Sequence, residues 1–580
     1  MASHAGLASP APIAYWPRTM GTQIVEPRSG RFRLPIPRLA RFRWRLWPQR
    51  NKRPPERILA RYTAPTLIHR HRLKLLAVLA VTAFVYGFFF GIGGTYVLVP
   101  LGVPLAIMLG IIIWLLPDTD RAPIGQLPWL MTAFIIAMSC WPNYLALALP
   151  GLPWITANRL IEFPLAAMVL ISWSVSPSFR AEMRRVLAAS PVVSRLMGAL
   201  VLIATLSIAL SIRPAESLSR FFAAQLDWTL IFLVAAFVFR VEGRARRLNG
   251  MMLGTLVFIS VIGLWEARLG HAPWAGHVPS FLSVDAETVQ KMSSGTVRKA
   301  TGLYRVKSVF SSPLGHAEYV ALTIPFIIHL IVYGRQRWLR VAAILALPLI
   351  ADVLIRTDSR LGNLGFLVAF LLYPAGWALL HLKRASRPIA LAIIGIYPVV
   401  FSLFIVATFA IHRLRVKIWG GGAQQASTEG RKQQIAMGIP KVLKRPWGYG
   451  IGEDGRALGF TNMAGVPTID TYYLSIALEL GIIGFIVYYA IFGYTVWRSG
   501  RNLFDARDPD TLTLLPIAIA LINFVLVKSV FSLETNHPLV FAMLGASVGL
   551  AYRLQQEKRA SVTSAIAQSA KPMTTARRWA

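Results

Sequence analysis

The chain has 580 residues, 55% of them hydrophobic and only 15% charged, with a mean hydropathy of +0.53. That composition excludes a string of soluble domains, and apolar runs of about 18–22 residues recur, which points to one polytopic helical bundle. The 61 Lys and Arg against 25 Asp and Glu give a net charge of +36, yet the excess lies in the N-terminal tail and between apolar runs, a topology pattern and not a nucleic-acid surface.

Residues 1–73 interleave Arg with Pro, Phe and Trp, and Glu26 and Glu56 are the only acids. The stretch lacks a signal-peptide core and reads as a basic, disordered cytoplasmic tail touching anionic lipid. Transmembrane helices are expected within 74–268, at 74–93, 95–116, 128–148, 160–176, 196–212, 221–239 and 249–268. A periplasmic segment, 269–316, separates them from further spans within 317–411, at 317–333, 338–356, 361–382 and 388–411. A large periplasmic catalytic loop, 412–471, leads to spans within 472–553, at 472–497, 511–532 and 536–553, and to a cytoplasmic tail, 554–580. The expected fold is thus all-α, with about 12–14 spans, because backbone polar groups in lipid must be satisfied within each segment. Cys140, the single cysteine, lies in an apolar run and excludes an internal disulfide or a cysteine metal site.

Loop charge fixes the expected orientation. Basic residues fill the short connections at 177–195, 240–248, 334–340, 383–387 and 498–507, whereas the turns at 94–95, 150–159, 213–220 and 533–537 hold few. The positive-inside rule then places both termini in the cytoplasm and the segments 269–316 and 412–471 outside. Those outer segments are nevertheless basic: Lys291, Arg298, Lys299, Arg305 and Lys307 in the first, and Arg413, Arg415, Lys417, Arg431, Lys432, Lys441, Lys444, Arg445 and Arg456 in the second. Guanidinium groups above a membrane suit capture of a phosphate-bearing lipid, which they grip bidentately.

Four constellations carry candidate chemistry. Asp352, Arg356 and Arg360 are spaced i,i+4 and would stack on one helix face. Trp447-Gly448-Tyr449-Gly450-Ile451-Gly452 lacks the ending of a P-loop and reads as a tight turn. Asp470-Thr471-Tyr472-Tyr473 stands where the outer loop becomes a helix. Asp470 is either its N-cap or a carboxylate accepting a proton from a sugar hydroxyl, and the tyrosines are either an interfacial belt or a platform for sugar rings. His537 is a spare candidate base, Asp227 is an intramembrane acid, and the histidines have no ligand spacing, so no metal site is expected.

Three blocks resemble the O-antigen ligase and polysaccharide polymerase superfamily of bacterial inner-membrane proteins. They are Arg305-Val-Lys-Ser308-Val-Phe310-Ser-Ser-Pro313, then Ser359-Arg360-Leu-Gly362, then Gly430-Arg431 leading to Pro446-x-Gly448-x-Gly450, Asp470-Thr471-x-Tyr473-Leu474 and Glu479-x-Gly481-Ile-Ile-Gly484. The resemblance covers roughly 300–490. It implies a metal-independent, cofactor-free membrane glycosyltransferase that inverts the anomeric carbon, takes a polyprenyl-pyrophosphate-linked glycan donor, and passes it to a glycan acceptor on the periplasmic side. Ligases of the family place His-Asn before the Tyr-Leu. Asp470-Thr471 instead looks like exopolysaccharide polymerases, and such polymerases suggest a chain-length regulator as partner.

The expectation is therefore polymerisation of lipid-linked repeat units, with Arg360, Arg431 and Asp470 as catalytic residues. Arg305, Lys307, Arg445, Tyr472 and Tyr473 are the expected substrate-binding residues. An O-antigen ligase acting on lipid A core is the alternative enzyme. A flippase for lipid-linked sugars is the alternative of another class, disfavoured by the absence of an evident internal repeat.

Overall fold

The computed structural model describes residues 122–147, 155–282, 286–298, 302–385, 388–412, 425–461 and 467–569, with shorter pieces between 74 and 120 and Arg415. The tail at 1–73 and most of the expected spans 74–93 and 95–116 lie outside the described residues. So do Lys299, Arg413 and Lys417 of the outer basic set.

The chain order is helical almost throughout: α1 Leu127–Cys140, α2 Ala157–Val175, α3 Pro177–Ala188, α4 Pro191–Ala209, α5 Pro214–Phe239, α6 Arg244–Leu269, α7 Pro313–Tyr333, α8 Arg337–Arg356 and α9 Arg360–Ala385. It continues with α10 Pro388–Ala410, α11 Gln425–Lys444, α12 Tyr472–Leu503, α13 Leu514–Lys528 and α14 His537–Ser569. A two-residue ribbon pairs Ala146–Leu147 with Ile155–Thr156. Among the described residues nine helices are long and apolar enough to cross a membrane, or ten if α2 and α3, bent by 109°, count as one. The protein is an all-α polytopic membrane protein. The expected spans from 160 onward coincide with helices, and α14 carries on to Ser569, where the sequence suggested a separate tail after 553.

Local chemistry explains the breaks. Ser176 ends α2 and starts α3, its hydroxyl accepting from Phe179 N at 3.1 Å. Pro177, Pro191, Pro214 and Pro313 stand in the first turn of their helices, where the missing N–H costs nothing. α5 contains a π turn over Gln225–Leu230 that carries Asp227.

α7 and the span through α13 form the centre, with 89% and 83% of their apolar windows buried, whereas α10 has 6% and stands at the rim. Small residues set the closest approaches. A Cβ on Gly362 or Gly365 would overlap Ala317 or Ala321 of α7, and one on Gly545 or Gly549 would overlap carbonyls of Phe232 or Ala236 in α5. The central charges are paired, as burial demands: Lys528 Nζ lies 2.9 Å from Glu318, both fully buried, and Asn536 Nδ2 donates to the same carboxylate at 3.0 Å.

The short basic loops gather at one end. Arg246 and Arg553 hold Asp510 at 3.0 and 2.8 Å, and Arg240 meets Glu182 at 3.3 Å. The long segments 270–312 and 425–470 cover the other end, hereafter the loop-rich end.

Candidate active site

Two turns of chain build the first wall. Glu266, buried at the C-terminus of α6, accepts from Tyr304 Oη at 2.7 Å and from Lys307 N at 3.1 Å, and so anchors residues 304–308. Ser308 then adopts φ +54°, in the left-handed region that favours glycine. Its hydroxyl bonds Ile259 O at 2.7 Å, which compensates locally. Phe310 packs flat on His316 at 5.6 Å, and Ser312 accepts from Gly315 N at 3.1 Å to start α7. Ser308, Phe310 and Pro313 of the first sequence block thus have structural tasks of their own in the segment that follows Arg305.

Residues 357–359 form the second turn. α8 ends at Arg356, Asp358 turns back at φ +47°, and Ser359 accepts from Gly362 N at 3.2 Å to open α9 at Arg360. The helix is therefore broken between Arg356 and Arg360, and the expected stacking of all three i,i+4 residues on one face does not occur. Arg356 is exposed and paired with Asp352 at 2.9 Å. Arg360 stands beyond the break, within electrostatic reach of Arg431, Arg298 and Asp358.

The two turns interlock. Val306 N donates to Arg356 O at 3.1 Å, Arg305 Nε to Thr357 O at 2.9 Å, and Arg298 meets Asp358 at 2.9 Å. The outer terminal nitrogen of Arg305, Nη2, is buried without a hydrogen-bond partner. Burial and the like charge of Arg298 push Arg305 down to about 10, which still leaves it charged at neutral pH.

The opposite wall comes from α11 and the start of α12. A Cβ on Gly438 would collide with Leu474, so the two helices touch there. One turn apart on α11, Arg431 and Gln434 face the segment before α12: Gln434 accepts from Asp470 N at 2.8 Å, and Arg431 is electrostatically coupled to the Asp470 carboxylate. The N-cap of α12 is Thr471 and no side chain caps it. The capping role open to Asp470 in the sequence is thus not the one it has; its carboxylate opposes a guanidinium. Burial raises Asp470 above the usual carboxylate range against the pull of Arg431, and burial lowers Arg431.

The Gly-rich turn holds this wall in place. α12 is interrupted at Gly481, φ +73°, and the turn docks into the break through Tyr449 N to Leu478 O at 2.7 Å, Gly450 N to Glu479 O at 3.1 Å and Ile482 N to Pro446 O at 2.8 Å. A Cβ on Gly448, itself at φ +92°, would run into the Glu479 carbonyl.

Behind residues 469–475 lies a polar cavity of about 290 Å³ lined by Asp227, Asp454, Glu479 and Glu534, with Arg220 and Trp228. Tyr472 Oη donates to Glu534 at 3.2 Å, Ser475 Oγ to Asp454, and Gly452 N to Glu479 at 2.8 Å. Glu534 borders the cavity, and desolvation raises its carboxyl against the pull of Arg220. Among the described residues no group of three or more His, Cys, Asp or Glu is disposed to hold a metal ion.

Of the residues singled out from sequence, Arg305, Arg360, Arg431 and Asp470 come together at the loop-rich end. Lys307 is 1% exposed and its ammonium bonds Ser294 O at 3.0 Å, within the anchor of the first wall. Arg445 lies a further ~21 Å along α11 from Arg431 at 1.5 Å per residue, over the Tyr449 ring. Tyr472 is buried against His537, and Tyr473 donates to Val525 O at 2.6 Å, so both hydroxyls are bonded inside the protein. His537 is itself fully buried. Sequence reasoning passed over Arg298 as a site residue, and over Gln434, Asp454 and Glu534; their partners lie dozens of residues away.

Residues 345–489 match the family model described as O-antigen ligase. The match spans Arg360, Arg431, Asp470 and the docked turn, and it supports the O-antigen ligase and polysaccharide polymerase superfamily as the family of this chain. The function it supports is of the ligase or polymerase type, acting on lipid-linked glycans in a membrane. No curated protein matches the chain.

Proposed function

We propose that the protein polymerises polyprenyl-pyrophosphate-linked oligosaccharide repeat units at the periplasmic face of the bacterial inner membrane, as a metal-independent, inverting glycosyltransferase. The observation that carries this reading is the gathering, among the described residues, of Arg298, Arg305, Arg360 and Arg431 around Asp358 and Asp470. Four guanidiniums beside two carboxylates give the described residues here an excess of positive charge, and an incoming pyrophosphate relieves the crowding.

In the reaction the acceptor hydroxyl attacks the donor anomeric carbon from the face opposite the pyrophosphate. The glycosyl–oxygen bond breaks, its electron pair passes to the pyrophosphate, and the hydroxyl proton passes to Asp470. Charge grows on the phosphate oxygens as the bond breaks, so fixed guanidiniums bind the transition state more tightly than the ground state. A carboxylate raised by burial is a better proton acceptor than an ordinary one. The carboxylate cavity behind residues 469–475 offers acceptors to sugar hydroxyls and seats the acceptor glycan in this reading.

Purified protein in lipid, supplied with lipid-linked repeat units, tests it. Longer glycans on the lipid support a polymerase. Transfer only to lipid A core would make the protein a ligase, and movement across the bilayer without bond formation would make it a transporter.

A further inference from the structure

At the end of the bundle opposite the arginine cluster, two clefts open on either side of the first turn of α6. The distance is about 30 Å, since twenty residues of helix separate Arg246 from Glu266 at 1.5 Å each. The first cleft, about 730 Å³, is lined by Arg246, Arg247, Asn249, His329, Tyr333 and Arg335. The second, about 550 Å³, runs between α1, α5 and α6, with Trp129, Ile135, Phe239 and Met251 in its walls and Arg244 and Arg247 at its mouth. Arg247 borders both, and among the described residues no acidic side chain lines either.

The arginines differ in how they are engaged. Arg246 is held by Asp510 at 3.0 Å, and Arg553 shares that carboxylate. Arg247 and Arg335 are exposed, and neither has an ion-pair partner among the described residues. Arg244 feels the like charge of Arg247 one turn away. A basic cleft and an apolar groove that share Arg247 complement the two halves of an amphiphile: an anion at one end and a hydrocarbon chain at the other. A soluble anion would account for the first cleft and leave the second without a purpose.

We propose that these clefts form one binding site for an anionic phospholipid. Arg247 and Arg335 grip the headgroup phosphate, and an acyl chain lies along the groove beside Met251 and Trp129. The site is separate from glycosyl transfer, and nothing in it depends on the enzymatic reading.

Full-length protein in phosphatidylcholine nanodiscs containing phosphatidylglycerol, analysed by native mass spectrometry, tests the site without any glycan. Wild-type protein retains phosphatidylglycerol in preference to phosphatidylcholine. The Arg247→Gln/Arg335→Gln variant retains it about thirtyfold less, at about fivefold for each charge removed beside an anionic headgroup. Met251→Trp, which fills the groove and leaves every charge in place, also weakens retention. Arg184→Gln/Arg185→Gln, basic residues elsewhere at the same end, leaves it unchanged. The proposal is overturned if the control pair loses as much lipid as the Arg247/Arg335 pair, or if Met251→Trp has no effect while inorganic phosphate displaces the lipid, since the site would then take a free anion. Circular dichroism of each variant separates loss of the site from loss of the fold.

Discussion

The segment before α12 has arginines on one side and carboxylates on the other. Asp470 opposes Arg431, whereas Ile469 and Ser475 belong to the wall of a cavity holding Asp227, Asp454, Glu479 and Glu534. The cationic side is assembled from two interlocked turns, in which Arg305 donates to Thr357 O and Arg298 meets Asp358, with Arg431 added from α11. The acidic side collects carboxylates from four separate stretches and satisfies several of them internally, through Tyr472, Ser475 and Gly452. In the proposed reaction the two sides would have two tasks: holding an anion whose charge increases, and holding hydroxyl groups that donate hydrogen bonds.

The comparison breaks most readily at the arginines. Arg431→Ala and Arg360→Ala are each expected to slow chain growth on lipid-linked repeat units by about 10²–10³, as for removal of a transition-state donor. Lys at either position recovers only part, because an ammonium cannot replace the planar fork. If both Ala variants elongate normally, the arginine side has no catalytic role. Next in size, Asp470→Asn is expected to lower the rate about a hundredfold. In the proposed reaction the charged carboxylate is the active form, so wild-type activity is expected to fall as pH drops through the Asp470 pKa. Burial raises that pKa, so the fall starts at a higher pH than for an exposed aspartate, and a pH–rate profile of the Asn variant lacks this limb.

The acidic side sharpens the contrast. Glu534→Gln and Asp454→Asn are expected to raise the acceptor concentration for half-maximal rate about tenfold, the loss of one hydrogen bond to a charged group, with a smaller effect on the maximal rate. A fall in maximal rate at unchanged acceptor dependence would move these residues to the catalytic side. Gly448→Ala should lower the denaturation midpoint through strain of ~1–3 kcal/mol, while the molecules that remain folded elongate at the wild-type rate. Arg356→Ala gives the smallest effect, within about twofold, because its exposed pair with Asp352 contributes little. The difference between Arg356 and Arg360, four residues apart, tests whether the break at Asp358 assigns their roles.

The helices from 160 onward were legible because a span must be apolar along its whole length, a signal that survives errors of a few residues. Arg305, Arg360 and Arg431 were legible because each lies in a block whose other members have backbone tasks: Ser308 at positive φ, Ser359 as a cap, Gly362 against Ala317. Arg298 was only one basic residue among many, and what sets it apart is Asp358, sixty residues later. Gln434 is neutral and gave no electrostatic signal, though its carbonyl orients the Asp470 backbone. The acidic cavity left no local pattern at all, since its carboxylates meet only when α5, α12 and two loops pack together. Hydropathy likewise could not show that Tyr472 would point inward to Glu534 and away from the cleft.

The seam between the turn at 446–450 and the break at Gly481 is made of main-chain groups, from Tyr449, Gly450 and Ile482 to the carbonyls they meet. Its specification rests on glycine at a few positions and on no side-chain functional group. Substitutions at 453–468 therefore leave the fastening intact and alter only what lies beside it. A chain that keeps Gly448, Gly450 and Gly481 keeps a fixed mount, beside which neighbouring side chains can be exchanged one at a time without loosening it.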